Sequence, residues 1–223
     1  MNHTNTQQIQ LVKTPVSRLE EISPGVFMIA FTRYFDFTPG QVIAINNGVE
    51  QAPRLYSISS GYADPEVKII FNIKEDGYLT PHLSKCIAGD KILVSKPFGN
   101  FICTEDDAWW ISAGTGIAPF ASMIFSGKGK NNILLHGGKT LKSFYFQNEI
   151  TRIMGSRYIR CCSSESGNGV YEGRLSQYLF EQPNLPQNKK YYLCGKAEMV
   201  IEIRDLLIGR GISFENIVSE IYF

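Results

Sequence analysis

Near residue 105 the chain changes its pattern, and that change limits what it can fold into. Before it, short segments rich in branched and aromatic residues, "QVIAIN", "RLYSIS", "VKIIFNI" and "KILVS", are separated by Gly, Pro, Asn or Asp. Val67, Ile69, Phe71 and Ile73 alternate with other residues, as a half-buried strand requires. Only "YLTPHLSKCI" reads as helical here, with Pro81 near its start, where a missing N–H does little harm. A small antiparallel barrel carrying one helix is expected. After residue 105, apolar runs at 108–112, 132–136, 157–162 and 191–194 alternate with segments of helical period. Val200, Ile203 and Leu207 share one helix face, with Gly209 as the expected stop. Such alternation predicts a parallel sheet flanked by helices. The boundary falls in "NFICTEDD", which divides the chain into 1–102 and 103–223.

A length of 223 residues accommodates two modest cores. The net charge of +1 gives no general attraction to nucleic acid or an anionic membrane. The polar start "MNHTNTQQIQ" lacks a signal-peptide core, and no run approaches the ~18 apolar residues of a bilayer span. The five cysteines are odd in number and show no C-x-x-C spacing. That argues against a disulfide framework, a metal site or an iron–sulfur module in this chain. The expectation is a reduced, cytoplasmic protein with no membrane insertion.

"AWWISAGTGIAPF" then reads as strand, tight turn and helix, with Phe120, Met123 and Ile124 as the helix's apolar stripe. Gly114 and Gly116 remove the β-carbons that would hold a ligand off the backbone, and the helix N-terminus faces a phosphate. A purely structural turn is the alternative. The full G-x-G-x-x-G pattern is absent, because Pro119 stands where the third glycine would be. An ordinary Rossmann dehydrogenase is therefore not expected.

With "RLYS" at 54–57, "GYLT" at 77–80, "GTGIAP" at 114–119, "CG" at 194–195 and the terminal "EIYF", the chain resembles the ferredoxin–NADP reductase superfamily. The likeness spans nearly the whole chain and is nearest to the short bacterial ferredoxin or flavodoxin reductases. It implies an FAD-binding Greek-key barrel followed by a Rossmann-like NAD(P) domain. FAD would be held by Arg54, Leu55, Tyr56 and Ser57, by Gly77, Tyr78, Leu79 and Thr80, and by the terminal aromatics Tyr222 and Phe223. Arg54 would pair with the pyrophosphate, Tyr56 would pack on the isoalloxazine and Ser57 would lie near flavin N5. Tyr222 would cover the flavin face that nicotinamide must reach, and Phe223 would stack on the adenine. The nicotinamide dinucleotide would be held by Gly114, Thr115, Gly116, Lys139, Ser163, Ser164, Arg174, Cys194 and Gly195. Ser57, Cys194 and Glu220 would surround the transfer site.

The resemblance implies NADPH as reductant, with NADH as the alternative. Ser164 stands where NADPH-using relatives commonly carry Arg, and Lys139 replaces another Arg, while Arg174 is retained. The partner implied is a ferredoxin or flavodoxin, and the protein a monomer. The rival expectations are a free-flavin reductase, an oxygenase reductase component and a non-catalytic flavin-binding redox module.

Overall fold

The computed structural model describes residues 9–222. Two six-stranded sheets follow one another along the chain. The first contains β1 (Leu11–Ser23), β2 (Val26–Thr32), β3 (Val42–Asn46), β4 (Arg54–Ser57), β5 (Glu66–Asn72) and β6 (Lys91–Ser95). Its order is β4-β3-β6-β1-β2-β5, antiparallel throughout. The two end strands, β4 and β5, contact one another, so the sheet curls into a barrel. Long β1 makes this closure, pairing with β6 through Leu11–Pro15 and with β2 through Val16–Ser23. Ile29, Ile43, Ile45, Ile69 and Ile92 fill the interior, each fully buried.

The single helix among the described residues of this half, α1 (Thr80–Leu83), is one turn long, shorter than "YLTPHLSKCI" predicts. The backbone beyond it is captured by turns: Asp90 Oδ2 accepts the Ile87 N–H at 2.9 Å, and the Gly89 N–H donates to Val16 O. The chain is thereby steered into β6 rather than into further helix.

The second sheet is wholly parallel, in the order β10-β9-β8-β7-β11-β12. Its strands are β7 (Trp109–Ala113), β8 (Ile133–Gly138), β9 (Tyr158–Cys162), β10 (Val170–Glu172), β11 (Tyr191–Lys196) and β12 (Ile217–Tyr222). The helices are α2 (Ala118–Phe125), α3 (Gln147–Met154), α4 (Leu175–Glu181) and α5 (Ala197–Gly209). Val200, Ile203 and Leu207 of α5 are buried in a core with Leu175 and Leu179 of α4. The predicted stop at Gly209 moves two residues on. Gly209 is still helical, and the reversal comes at Gly211, whose φ is +86°. The Ile212 N–H then donates to Leu207 O at 3.0 Å, closing the helix end.

The two halves share one core. Val26, Met28 and Ile70 of the barrel pack in the same apolar cluster as Phe120 and Met123 of α2 and Tyr192 of β11. The Ser122 hydroxyl also donates to Ser60 O at 2.8 Å across the junction. No helix among the described residues is long and apolar enough to cross a membrane.

Candidate functional site

The parallel sheet has its switch point between β7 and β11. From β7 the chain moves outward through β8, β9 and β10, then returns to the other side of β7 as β11. Loops at the carboxyl ends of adjacent strands diverge there and leave a crevice. A cleft of about 1780 Å³ opens at that point and runs across to the barrel. Its volume exceeds the roughly 300–1,000 Å³ of an ordinary small-molecule pocket.

The barrel wall is built from β4 and the loop before α1. Arg54, Leu55, Tyr56 and Ser57 line it, as do Gly77, Tyr78, Leu79 and Thr80. The Arg54 guanidinium lies 5.6 Å from the centre of the Tyr78 ring, and among the described residues it has no carboxylate partner. Tyr78 donates its own hydroxyl to Ala52 O, which ties this loop to the approach to β4. Tyr56 stacks edge-on against Phe71, and burial pushes its phenol pKa up. The Thr80 hydroxyl accepts the Lys74 N–H at 2.8 Å, so it closes the loop from inside.

Across the cleft, Gly114 and Thr115 form the turn that follows β7. Gly114 has φ +56°, and a β-carbon there would meet nothing within 4 Å, so its backbone is laid bare to the cleft. Gly116 behaves differently from its sequence reading. Its missing β-carbon would sit 2.2 Å from Cys194 O, so this glycine makes room for β11 and does not face a ligand. Pro119 lies at the start of α2, as expected.

Lys139, Ser163 and Arg174 line the far end, beyond β8, β9 and β10. Ser164 lies outside the lining, its N–H donating to Lys139 O at 3.1 Å. Among the described residues Lys139 and Arg174 form no ion pair, so two cations are exposed toward one region. Gly195 also lines the cleft, whereas Cys194 is fully buried behind it.

The floor joins the two halves. Ser57 of β4 donates to Glu220 of β12 at 3.2 Å, and the Tyr222 hydroxyl donates to Ser57 Oγ at 2.8 Å. Cys194 pairs in register with Glu220, and its thiol meets the Tyr222 hydroxyl. Burial, opposed by the Ser57 hydrogen bond, pushes Glu220 up to about 7. Burial also raises Cys194 and Tyr222, each further raised by the neighbouring Glu220. Ser57, Cys194 and Glu220 are thus brought together from three strands. Phe223 lies outside the described residues.

The donors fit two dinucleotides. A free guanidinium and a glycine-bearing loop stand on the barrel side. A bare glycine turn at a helix start stands on the other side, with two cations beyond. Among the wall residues that no sequence motif marked are Lys74, Tyr145 and Met199. Met199 reaches to within 2.6 Å of where a Gly195 β-carbon would be. The "EDG" turn beside Lys74 was the sole signal available.

Comparison with known proteins adds four findings. The family described as oxidoreductase NAD-binding domain matches residues 110–205. A ferredoxin–NADP reductase of Azotobacter vinelandii is 28% identical over 217 residues, covering 82% of this chain and 83% of that protein. A component of the Na(+)-translocating NADH-quinone reductase of Serratia proteamaculans is 24% identical over 201 residues. That match covers 77% of this chain, which spans about half, 49%, of that relative. Among solved structures, a ferredoxin NADP+ reductase from Neisseria gonorrhoeae with bound FAD and NADP superposes with a TM-score of 0.86 at 18% identity. The superposition covers 97% of this chain and all of that one, and it shows the shared fold.

Proposed function

We propose that the chain is an oxidoreductase of the ferredoxin–NADP reductase superfamily that binds FAD, oxidises NADPH and passes electrons singly to a ferredoxin or flavodoxin, a reading supported by the oxidoreductase NAD-binding match, the Azotobacter relative and the shared fold. The observation that carries this reading is the cleft floor. Ser57 from one half and Glu220 and Tyr222 from the other meet in a single hydrogen-bonded group, between a wall fit for flavin and a wall fit for nicotinamide. The division into an FAD half, 1–102, and an NAD(P) half, 103–223, belongs to the same proposal.

When bound, FAD would supply what no side chain does, acceptance of one hydride and release of its two electrons one at a time. The protein's part is placement and exclusion. Arg54 would hold the FAD pyrophosphate, with the Gly77–Thr80 loop closing beside it. The Gly114 and Thr115 backbone would hold the dinucleotide pyrophosphate, and Lys139, Ser163 and Arg174 would meet a 2′-phosphate. Tyr222 covers the floor and keeps water from it until nicotinamide displaces the ring. Glu220, with a pKa raised to about 7, holds or releases a proton near neutrality, and Ser57 Oγ is the atom through which that proton would pass.

The test is ferricyanide reduction by the FAD-supplemented protein with NADPH and with NADH. The expected result is a kcat/KM ratio favouring NADPH by about tenfold or more, the value of one charge-assisted phosphate contact. A preference for NADH would overturn the 2′-phosphate assignment, with Ser164 the lost contact, and would move the reading to an NADH-dependent reductase component. No turnover with either would overturn the enzymatic proposal.

A further inference from the structure

One buried polar group takes no part in the site described so far. His136 of β8 is completely buried, one position before the Gly137–Gly138 pair, and lies in register beside Ser112 of β7. Its Nδ1 lies 2.9 Å from the Tyr158 hydroxyl. The ring meets the Phe144 ring edge-on at 5.3 Å and the Tyr158 ring at 6.1 Å, so it has little freedom to rotate. Its Nε2 is buried with no hydrogen-bond partner. A buried donor without a partner costs about 1–3 kcal/mol, so its retention asks for a reason.

The reason lies two residues beyond Ser112. The turn that carries Gly114 packs against β8, and the Gly114 backbone lies close enough to act on this imidazole without completing a hydrogen bond to Nε2. Gly114 is also the residue whose backbone is bare to the cleft, at φ +56°. Burial, with Arg160 nearby, lowers the His136 pKa to about 3, so the ring stays neutral and carries one N–H. If the Tyr158 hydroxyl donates to Nδ1, that N–H belongs to Nε2.

We infer that His136 is a positioning residue for the glycine turn: Tyr158 fixes its tautomer, and Nε2–H holds the Gly114 carbonyl when the turn closes on a dinucleotide pyrophosphate. This rests on the reading that Gly114 and Thr115 bind a nicotinamide dinucleotide. It assigns His136 no contact with the dinucleotide itself. Its effect is on the orientation of the Gly114–Thr115 peptide, and therefore on affinity.

The experiment is calorimetric titration of the FAD-loaded protein with NADP+ and with NAD+, for wild type, His136→Leu, His136→Gln and Tyr158→Phe. Ferricyanide kinetics and melting temperatures are measured alongside. Gln retains an N–H near the position of Nε2, and Leu does not. His136→Leu is expected to raise the dinucleotide Kd and KM about five- to tenfold, the value of one hydrogen bond, with kcat and FAD content near wild type. His136→Gln is expected to recover most of that loss, and Tyr158→Phe to shift Kd the same way by a smaller factor. Equal Kd shifts in the Leu and Gln variants, or lowered stability with unchanged Kd, overturn the inference. Should His136→Leu fail to fold, an unchanged Kd in Tyr158→Phe overturns it as well. A wild type that binds neither dinucleotide brings down the functional reading together with this one, whereas normal wild-type binding with unresponsive variants brings down this one alone.

Discussion

At the scale of single residues, two side chains carry opposite electrostatic tasks. Arg54 is a cation with an aromatic neighbour and, among the described residues, no anionic one, which leaves its fork open to a phosphate. Arg54→Leu is expected to weaken FAD binding by about tenfold or more, read by fluorescence titration of the apoprotein. Retention of wild-type affinity would remove Arg54 from the FAD site. Glu220 is an acid held in a dry place, its pKa raised by burial from 4.5 to about 7. The folded chain therefore binds this proton more tightly than the unfolded one. Between pH 4.5 and about 7 the folded state holds more protons, so this group's contribution to stability falls as pH rises and levels off above that window. Urea midpoints of wild type and Glu220→Gln at pH 5 and pH 8 read it directly. The variant's advantage is expected to appear at pH 8 and to be small at pH 5, and the opposite order would show that Glu220 is ionised without penalty.

At the scale of elements, the turn between β7 and α2 shows two glycines of the same string doing different work. Gly114 has a left-handed φ of +56° but open space around its Cα, so Gly114→Ala carries a conformational penalty of about 1–2 kcal/mol and adds a methyl to the cleft wall. Gly116 has no such space, because a β-carbon would lie 2.2 Å from the Cys194 carbonyl oxygen. That oxygen belongs to a central strand and cannot withdraw without disturbing the β7–β11 pairing. Gly116→Ala is therefore expected to lower the melting temperature far more than Gly114→Ala, whose cost corresponds to roughly 2–8 °C in a chain of this size. Gly114→Ala is expected instead to raise KM for NADPH. Melting curves and steady-state kinetics on the pair decide between the two roles. Equal melting temperatures would mean that the turn shifts freely against β11.

At the scale of the whole molecule, the cleft floor is held by contacts that bridge 163 and 165 residues of sequence, Ser57 with Glu220 and with Tyr222. They hold because the halves share one apolar core and cannot drift apart. With Tyr222 lying on the floor, the proposed function has an incoming nicotinamide compete with it. Tyr222→Ser is expected to lower KM for NADPH by removing that competition, at the expense of kcat where release becomes limiting. Tyr222→Phe, which keeps the ring, is expected to stay near wild type in KM. An unchanged KM in the serine variant would show that Tyr222 does not move during turnover. Local pattern was enough to reveal the barrel-then-parallel order of the fold, because strand alternation, apolar run length and the residues flanking a turn act within a few positions. "KILVS" became β6 to the residue, and the stripe Val200, Ile203, Leu207 became the buried face of α5. The motifs at Arg54, Gly77, Gly114 and Glu220 were legible for the same reason, as short strings with chemistry of their own. Packing between distant segments decided the rest, since a sequence window contains none of the partner's atoms. That packing turned Gly116 away from the cleft, sank Cys194 behind Gly195, gave the Thr80 hydroxyl to Lys74 and brought the strand of His136 against the Gly114 turn.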